Sequence, residues 1–261
     1  MFKKQLNLLF ICLFVHISNL ANFELKMIKG YIMKYLIACL ILLGTHMMSA
    51  QERPEIIYVF DPLCGWCYGF SPVIKQAYDT YKDKADFKVI TGGMIIGDQI
   101  GPIGKIAEFL KGATARVTER TGAEFSTLFL DTILTEGTQI LSSMEPSIAV
   151  QICKAEKPER IFDFMSALHK DIYISGLKTA IPTDYARLAK KMGFDEKIFI
   201  NELNENTFKQ LAMQDFQEAG ALGVDSYPAI LISIDGVVRE LARGYMKWNE
   251  LEKLINAELL K

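Results

Sequence analysis

Two cysteines, Cys64 and Cys67, stand in the stretch Asp61-Pro62-Leu63-Cys64-Gly65-Trp66-Cys67-Tyr68-Gly69-Phe70-Ser71-Pro72. Thiols at this spacing can hold a metal, close a short structural disulfide, or exchange disulfides with another molecule. In exchange, one thiolate attacks a foreign disulfide and the second thiol resolves the mixed species within the same chain. The flanks bear on the choice. Residues 56–60, Ile-Ile-Tyr-Val-Phe, form a β-branched and aromatic run that predicts a buried strand. Val73, Ile74, Ala77, Tyr78 and Tyr81 then recur at helical spacing. Cys64 therefore falls where a strand hands over to a helix. The free N–H groups and positive dipole end of a helix start stabilise an anion, here a thiolate.

The other uses of the pair have less support. A structural zinc site needs four ligands, and only Cys153 and His169 remain downstream, so a Cys3His site would consume both. A short structural disulfide stays open. Strand, Cys-x-x-Cys and helix in sequence favour thiol–disulfide exchange.

The same stretch resembles the active site of the thioredoxin superfamily, and within it the DsbA-like branch. The run from Asp61 to Pro72 is similar to that of the FrnE-like predicted protein-disulfide isomerases. Pro72 stands eight positions after Cys64, where thioredoxins carry a helix-kinking proline. The chain departs from the pattern at Tyr58, which occupies the place of a buried acid six residues before the first cysteine. Asp61 is the nearest acid, and it precedes a proline as a turn former does. The resemblance implies a thiol–disulfide oxidoreductase, oxidase or isomerase, acting on protein cysteines, in which Cys64 attacks and Cys67 resolves. It further implies a cis proline at Tyr227-Pro228 and a docking surface made of Trp66, Tyr68, Tyr227 and Pro228. No metal or prosthetic group is implied, since the dithiol carries the electrons. The implied partners are cysteine-containing client proteins and a redox partner protein or small thiol. Gly65-Trp66 lacks the histidine found in strongly oxidising DsbA, so a milder oxidant or an isomerase is expected. Two alternatives stay beside this reading. One is a glutathione-dependent isomerase or transferase, against which the second cysteine speaks. The other is a non-catalytic metal- or client-binding protein.

The elements that must position the pair follow in order. Residues 87–91 alternate as a second strand and end at Gly92-Gly93. No Gly-Lys-Ser/Thr follows these glycines, so a plain turn or a loop whose backbone nears the active site is expected, not a phosphate loop. Residues 98–220 have helical periodicity, and Cys153 and His169 lie on its apolar stripes as core residues. Strand character returns at 229–233, Asp235-Gly236 signals a hairpin, 237–241 is its second arm, and an amphipathic helix closes the chain. The expected class is α/β, a thioredoxin fold (51–97 and 221–261) with an inserted all-helical domain (98–220).

The first fifty residues differ from the rest. Their apolar runs, 6–15 and 35–43, are shorter than the roughly twenty residues that span a bilayer. Met33-Lys34, the run 35–43, Gly44 and Met48-Ser49-Ala50 have the anatomy of a secretory signal cleaved before Gln51. The expected translation start is Met33, because Lys29-Gly30 is encoded by a purine-rich stretch resembling a ribosome-binding site. A periplasmic or secreted location without stable membrane insertion follows as an expectation. Residues 1–50 hold five lysines and one acid, so residues 51–261 carry 24 basic against 30 acidic residues, a net charge of −6. That balance disfavours nucleic-acid binding. His169 is the only histidine after residue 50, and no nucleophile motif accompanies it for a hydrolytic triad.

Overall fold

The computed structural model describes Lys34 and residues 53–260. The expected leader at 1–50, with its start at Met33 and its cleavage site after Ala50, lies outside the described residues except for Lys34. Strand β1 (Glu55–Phe60) leads into helix α1 (Gly65–Tyr81) and back into β2 (Asp86–Thr91). A long segment follows before β5 (Ala229–Ile234), β6 (Val237–Arg243) and the last helix, Trp248–Leu259. The four strands form one sheet in the order β2-β1-β5-β6. β1 runs parallel to β2 in register Glu55↔Asp86 and antiparallel to β5, while β6 closes the edge antiparallel to β5 with a bulge at Ile230/Leu231.

The central position of β1 explains its composition. Successive side chains of a strand point to opposite faces. Ile56, Tyr58 and Phe60 enter one buried cluster with Phe70 and Ile74 of α1, whereas Ile57 and Val59 enter another with Ile90, Ala219 and Leu231. Both faces are covered, so the strand reads as an unbroken apolar run. This is a mixed sheet with helices on both sides.

The segment between β2 and β5 carries α2 (Ala107–Thr121), α3 (Met144–Glu156), α4 (Ile161–Tyr173), α5 (Ala186–Lys191), α6 (Glu196–Leu203) and α7 (Asn206–Ala221). Two details depart from an uninterrupted helical pattern. Gly101–Pro102 (β3) pairs antiparallel with Ile140–Leu141 (β4), since Gly-Pro cannot continue a helix. Leu128–Ile133 is a π-helical stretch. The apolar run over 199–219 divides into α6 and α7, and Asp195 starts α6 by accepting from the N–H groups of Lys197 and Ile198. α4 lies against α1, where the Tyr68 and Tyr173 rings stack at 5.2 Å and Ser71 Oγ meets His169 Nδ1 at 3.1 Å. Among the described residues no helix is long and apolar enough to cross a membrane.

Candidate active site

Cys64 is the N-cap of α1, with extended backbone (φ −86°, ψ 111°), and its Sγ accepts the N–H of Cys67 at 3.3 Å. A thiol replaces the usual oxygen cap here. Both sulfurs are free thiols. Cys64 retains 7 % exposure and Cys67 none, so Cys64 is the only one of the pair that another molecule can reach. The turn covers most of Cys64. Burial pushes the Cys67 thiol well above the ordinary range, with the neighbouring Cys64 sulfur adding to the rise.

The turn that presents Cys64 is anchored on several sides. The Cys64 N–H donates to the Asp61 carbonyl at 3.0 Å. Asp61 Oδ1 accepts from the Leu63 N–H at 2.8 Å and from the Ser143 hydroxyl at 3.0 Å, and Oδ2 from the Met94 N–H at 2.7 Å. The Tyr173 hydroxyl donates to the Leu63 carbonyl at 2.7 Å. Asp61 is fully buried; desolvation raises its pKa while these donors pull it back down. Asp61 is therefore more than a local turn former. It ties the loop before α1 to the residue preceding α3 and to the loop after β2.

The chain end of the fold supplies the opposite wall. Tyr227-Pro228 is cis, and the Cys64 thiol donates to the Tyr227 carbonyl at 3.5 Å across 163 positions. The Tyr227 hydroxyl donates to the Gly92 carbonyl at 2.8 Å, and a Cβ on Gly92 would stand only 2.1 Å from two carbons of the Tyr227 ring. Gly92 is thus required by close approach, and the loop after β2 does near the active site. Trp66 lies 6.5 Å from the Tyr245 ring, and both line a cleft of about 390 Å3 with Tyr227. Trp66 and Tyr227 thus share one cleft next to Cys64, while Pro228 is buried behind Tyr227 at the cis bond and does not line it. Tyr68 is not part of that surface. It is buried, packs on Phe125, His169 and Tyr173, and donates its hydroxyl to the Glu124 carbonyl at 3.0 Å.

Other singled-out residues take supporting places. Tyr58 is buried, and desolvation together with the two cysteine sulfurs raises its pKa, so it stays protonated. His169 is buried, and desolvation lowers its pKa to about 4. Cys153 is buried too, and desolvation raises its thiol to about 12. The residues that a Cys3His site would use do not converge: among the described residues no three His, Cys, Asp or Glu side chains group as metal ligands do. Sequence reasoning missed Ser143, Tyr173 and Tyr245, which reach the site from helices and loops with no motif of their own.

No family model matches the chain. Among solved structures, a candidate protein disulfide isomerase from Nitrosomonas europaea aligns with a TM-score of 0.71 at 24% identity, covering 80% of this chain and 98% of that one. The cytosolic disulfide reductase DsbM from Pseudomonas aeruginosa aligns at 0.67 with 21% identity, over 79% and 98%. A candidate DsbA oxidoreductase from Streptomyces coelicolor aligns at 0.59 with 13% identity, over 78% and 90%. The fold is DsbA-like. It is a thioredoxin fold with helices inserted between β2 and β5, and the DsbA-like order explains how residues 64 and 227 meet. A curated relative, the ClpXP adapter protein SpxH of Halalkalibacterium halodurans, is 23% identical over 198 residues. The match takes in 73% of this chain and 62% of that protein, less than two thirds of its length.

Proposed function

We propose that this chain is an exported thiol–disulfide oxidoreductase, an oxidase or isomerase, acting on protein cysteines through the Cys64-Gly65-Trp66-Cys67 dithiol. The observation that carries the proposal is the placement of Cys64 Sγ between the start of α1 and the Tyr227 carbonyl, with the second thiol buried behind it. Cys64, as thiolate, attacks one sulfur of a client disulfide; that bond breaks and one client sulfur leaves. Cys67 then gives up its proton and attacks Cys64 Sγ. The mixed disulfide breaks, the second client sulfur leaves, and the proton ends on a client thiol. The client disulfide is thereby reduced and the enzyme dithiol oxidised; the reverse sequence oxidises the client. The raised proton affinity of Cys67 orders the steps, because it holds its proton while Cys64 attacks. The two sulfurs carry the electrons, so no prosthetic group is invoked.

Trp66 and Tyr227 form the surface against which a client segment lies; buried Pro228 sets the cis turn behind Tyr227, whose carbonyl can turn from the Cys64 thiol to pair with the segment as an added strand would. A redox partner protein or small thiol resets the pair. Export to the periplasm or beyond is part of the proposal and rests on the signal-like residues 33–50. The test is a measured Cys64–Cys67 reduction potential, with assays of oxidation of a reduced client and reduction of an oxidised one. Turnover in either direction that is lost on Cys64→Ser supports the reading; no turnover in both refutes it. Export is tested by the location and intact mass of the mature protein, expected to begin at Gln51.

A second reading has one observation in its favour. The curated relative is an adapter protein, so a client-binding role without redox turnover fits that match. Binding of clients that persists unchanged in a Cys64→Ser Cys67→Ser variant, with no turnover in the wild type, would select it.

A further inference from the structure

We propose that the cleft beside Cys64 selects protein client segments that carry an acidic side chain next to the cystine, through the guanidinium groups of Arg116 and Arg120. This rests on the oxidoreductase reading and adds a substrate preference to it. Arg116 and Arg120 lie four residues apart on α2, so they share one face of the helix. Both line the cleft that holds Trp66, Tyr227 and Tyr245. Their lack of a partner is unusual for this molecule. Every other arginine among the described residues, Arg53, Arg160, Arg187, Arg239 and Arg243, forms an ion pair or donates a hydrogen bond. Arg116 and Arg120 do neither, although both line the same cleft.

Glu119 also lines this cleft, without bonding either guanidinium, so the three side chains leave one net positive charge there. Residues 51–261 carry a net charge of −6, which makes a positive spot beside the nucleophile run against the general field. Guanidinium groups offer paired N–H donors that match a carboxylate, and the Trp66 and Tyr245 rings give its methylene stem an apolar bed. The cleft is open and both arginines are exposed on a surface helix. A trough of that kind suits an extended segment crossing it better than a small ligand, which is ordinarily enclosed.

The chemistry is the exchange already written, with the carboxylate only holding the client disulfide over Cys64. Single-turnover oxidation of the reduced protein by disulfide peptides identical except for Glu, Gln or Lys beside the cystine tests it. The Glu peptide should react about three- to tenfold faster than the Lys peptide at low salt, and the gap should shrink at high salt. The Arg116→Gln Arg120→Gln variant should lose the preference, and Arg116→Glu Arg120→Glu should reverse it, with unchanged unfolding midpoints showing that both variants fold. Equal rates for the three peptides, or a Glu preference that survives in the charge-reversed variant, overturn the proposal. A preference confined to oxidised glutathione over cystamine, with the peptides alike, assigns the pair to a small anionic disulfide and also overturns it. Failure of every peptide to react removes the oxidoreductase reading itself, a result distinct from reaction without charge preference.

Discussion

Asp61 offers the sharpest test of how the site is built. Its carboxylate accepts from two backbone N–H groups and one hydroxyl, each at 3.0 Å or less, in a fully buried place. Asp61→Ala deletes all three bonds and leaves the Leu63 and Met94 N–H groups facing a hole. A hydrogen bond to a charged group contributes about 1.5–3 kcal/mol, and the losses overlap, so roughly 3–5 kcal/mol of stability should go. For a domain of this size that lowers Tm by roughly 10 °C. Asp61→Asn keeps the shape but turns one acceptor into a donor. With its oxygen toward Leu63 and Ser143, its NH2 meets the Met94 N–H, for a loss of about 1–3 kcal/mol. The asparagine also removes a negative charge that helps raise the Cys67 pKa. The pH midpoint of the resolving step should therefore move down, which a proton relay through Asp61 would not produce. Thermal unfolding of both variants and single-turnover resolution of a Cys64 mixed disulfide across pH measure these effects. A Tm loss below about 2 °C for Asp61→Ala, on the same scale, together with an unmoved or raised midpoint for Asp61→Asn, would refute the reasoning.

The remaining expectations are briefer. Cys67→Ser should accumulate mixed disulfides with clients on denaturing gels and Cys64→Ser should not, because only Cys64 has any exposure; equal trapping would contradict the roles. Cys153→Ala should leave turnover nearly unchanged, its thiol being buried and raised to about 12; lost turnover in a folded variant would count against that. His169, at about 4 when folded and about 6.5 when unfolded, binds its proton only in the unfolded chain between those values. Stability should therefore fall as pH drops from about 6.5 to 4, by about 3 kcal/mol at most, and His169→Gln should flatten that part of a denaturation series. Gly92→Ala must displace the Tyr227 ring and break its bond to the Gly92 carbonyl. It should cost about 1–3 kcal/mol and slow exchange by Cys64, so wild-type values in both denaturation and stopped-flow assays would show the contact to be dispensable.

Local chemistry was readable from the chain alone. A strand with both faces buried is an unbroken β-branched run, and a helix needs its apolar stripe, so residues 56–60 and 73–81 declared themselves and placed Cys64 at their junction. Buried Cys153 and His169 were legible the same way, from the stripes they sit on. The DsbA-like order was legible because the thioredoxin elements lie at the two ends of the described chain with a helical stretch between them. What the sequence could not decide was which distant groups converge. Asp61 reads as a turn former because its bond to Leu63 is local, while Met94 and Ser143 lie 33 and 82 positions away. Tyr68 looked like part of the docking surface because it adjoins Cys67 in sequence. A helix, however, turns neighbouring residues to different faces, and only the packing of α4 against α1 sends its ring inward. Arg116 and Arg120 carry no motif; their lack of partners and their place beside Trp66 exist only once α2 lies against the cleft. Side-chain periodicity is a property of the local backbone and can be read in one dimension, whereas the satisfaction of a buried carboxylate or a free guanidinium depends on long-range contacts that only the folded chain brings together.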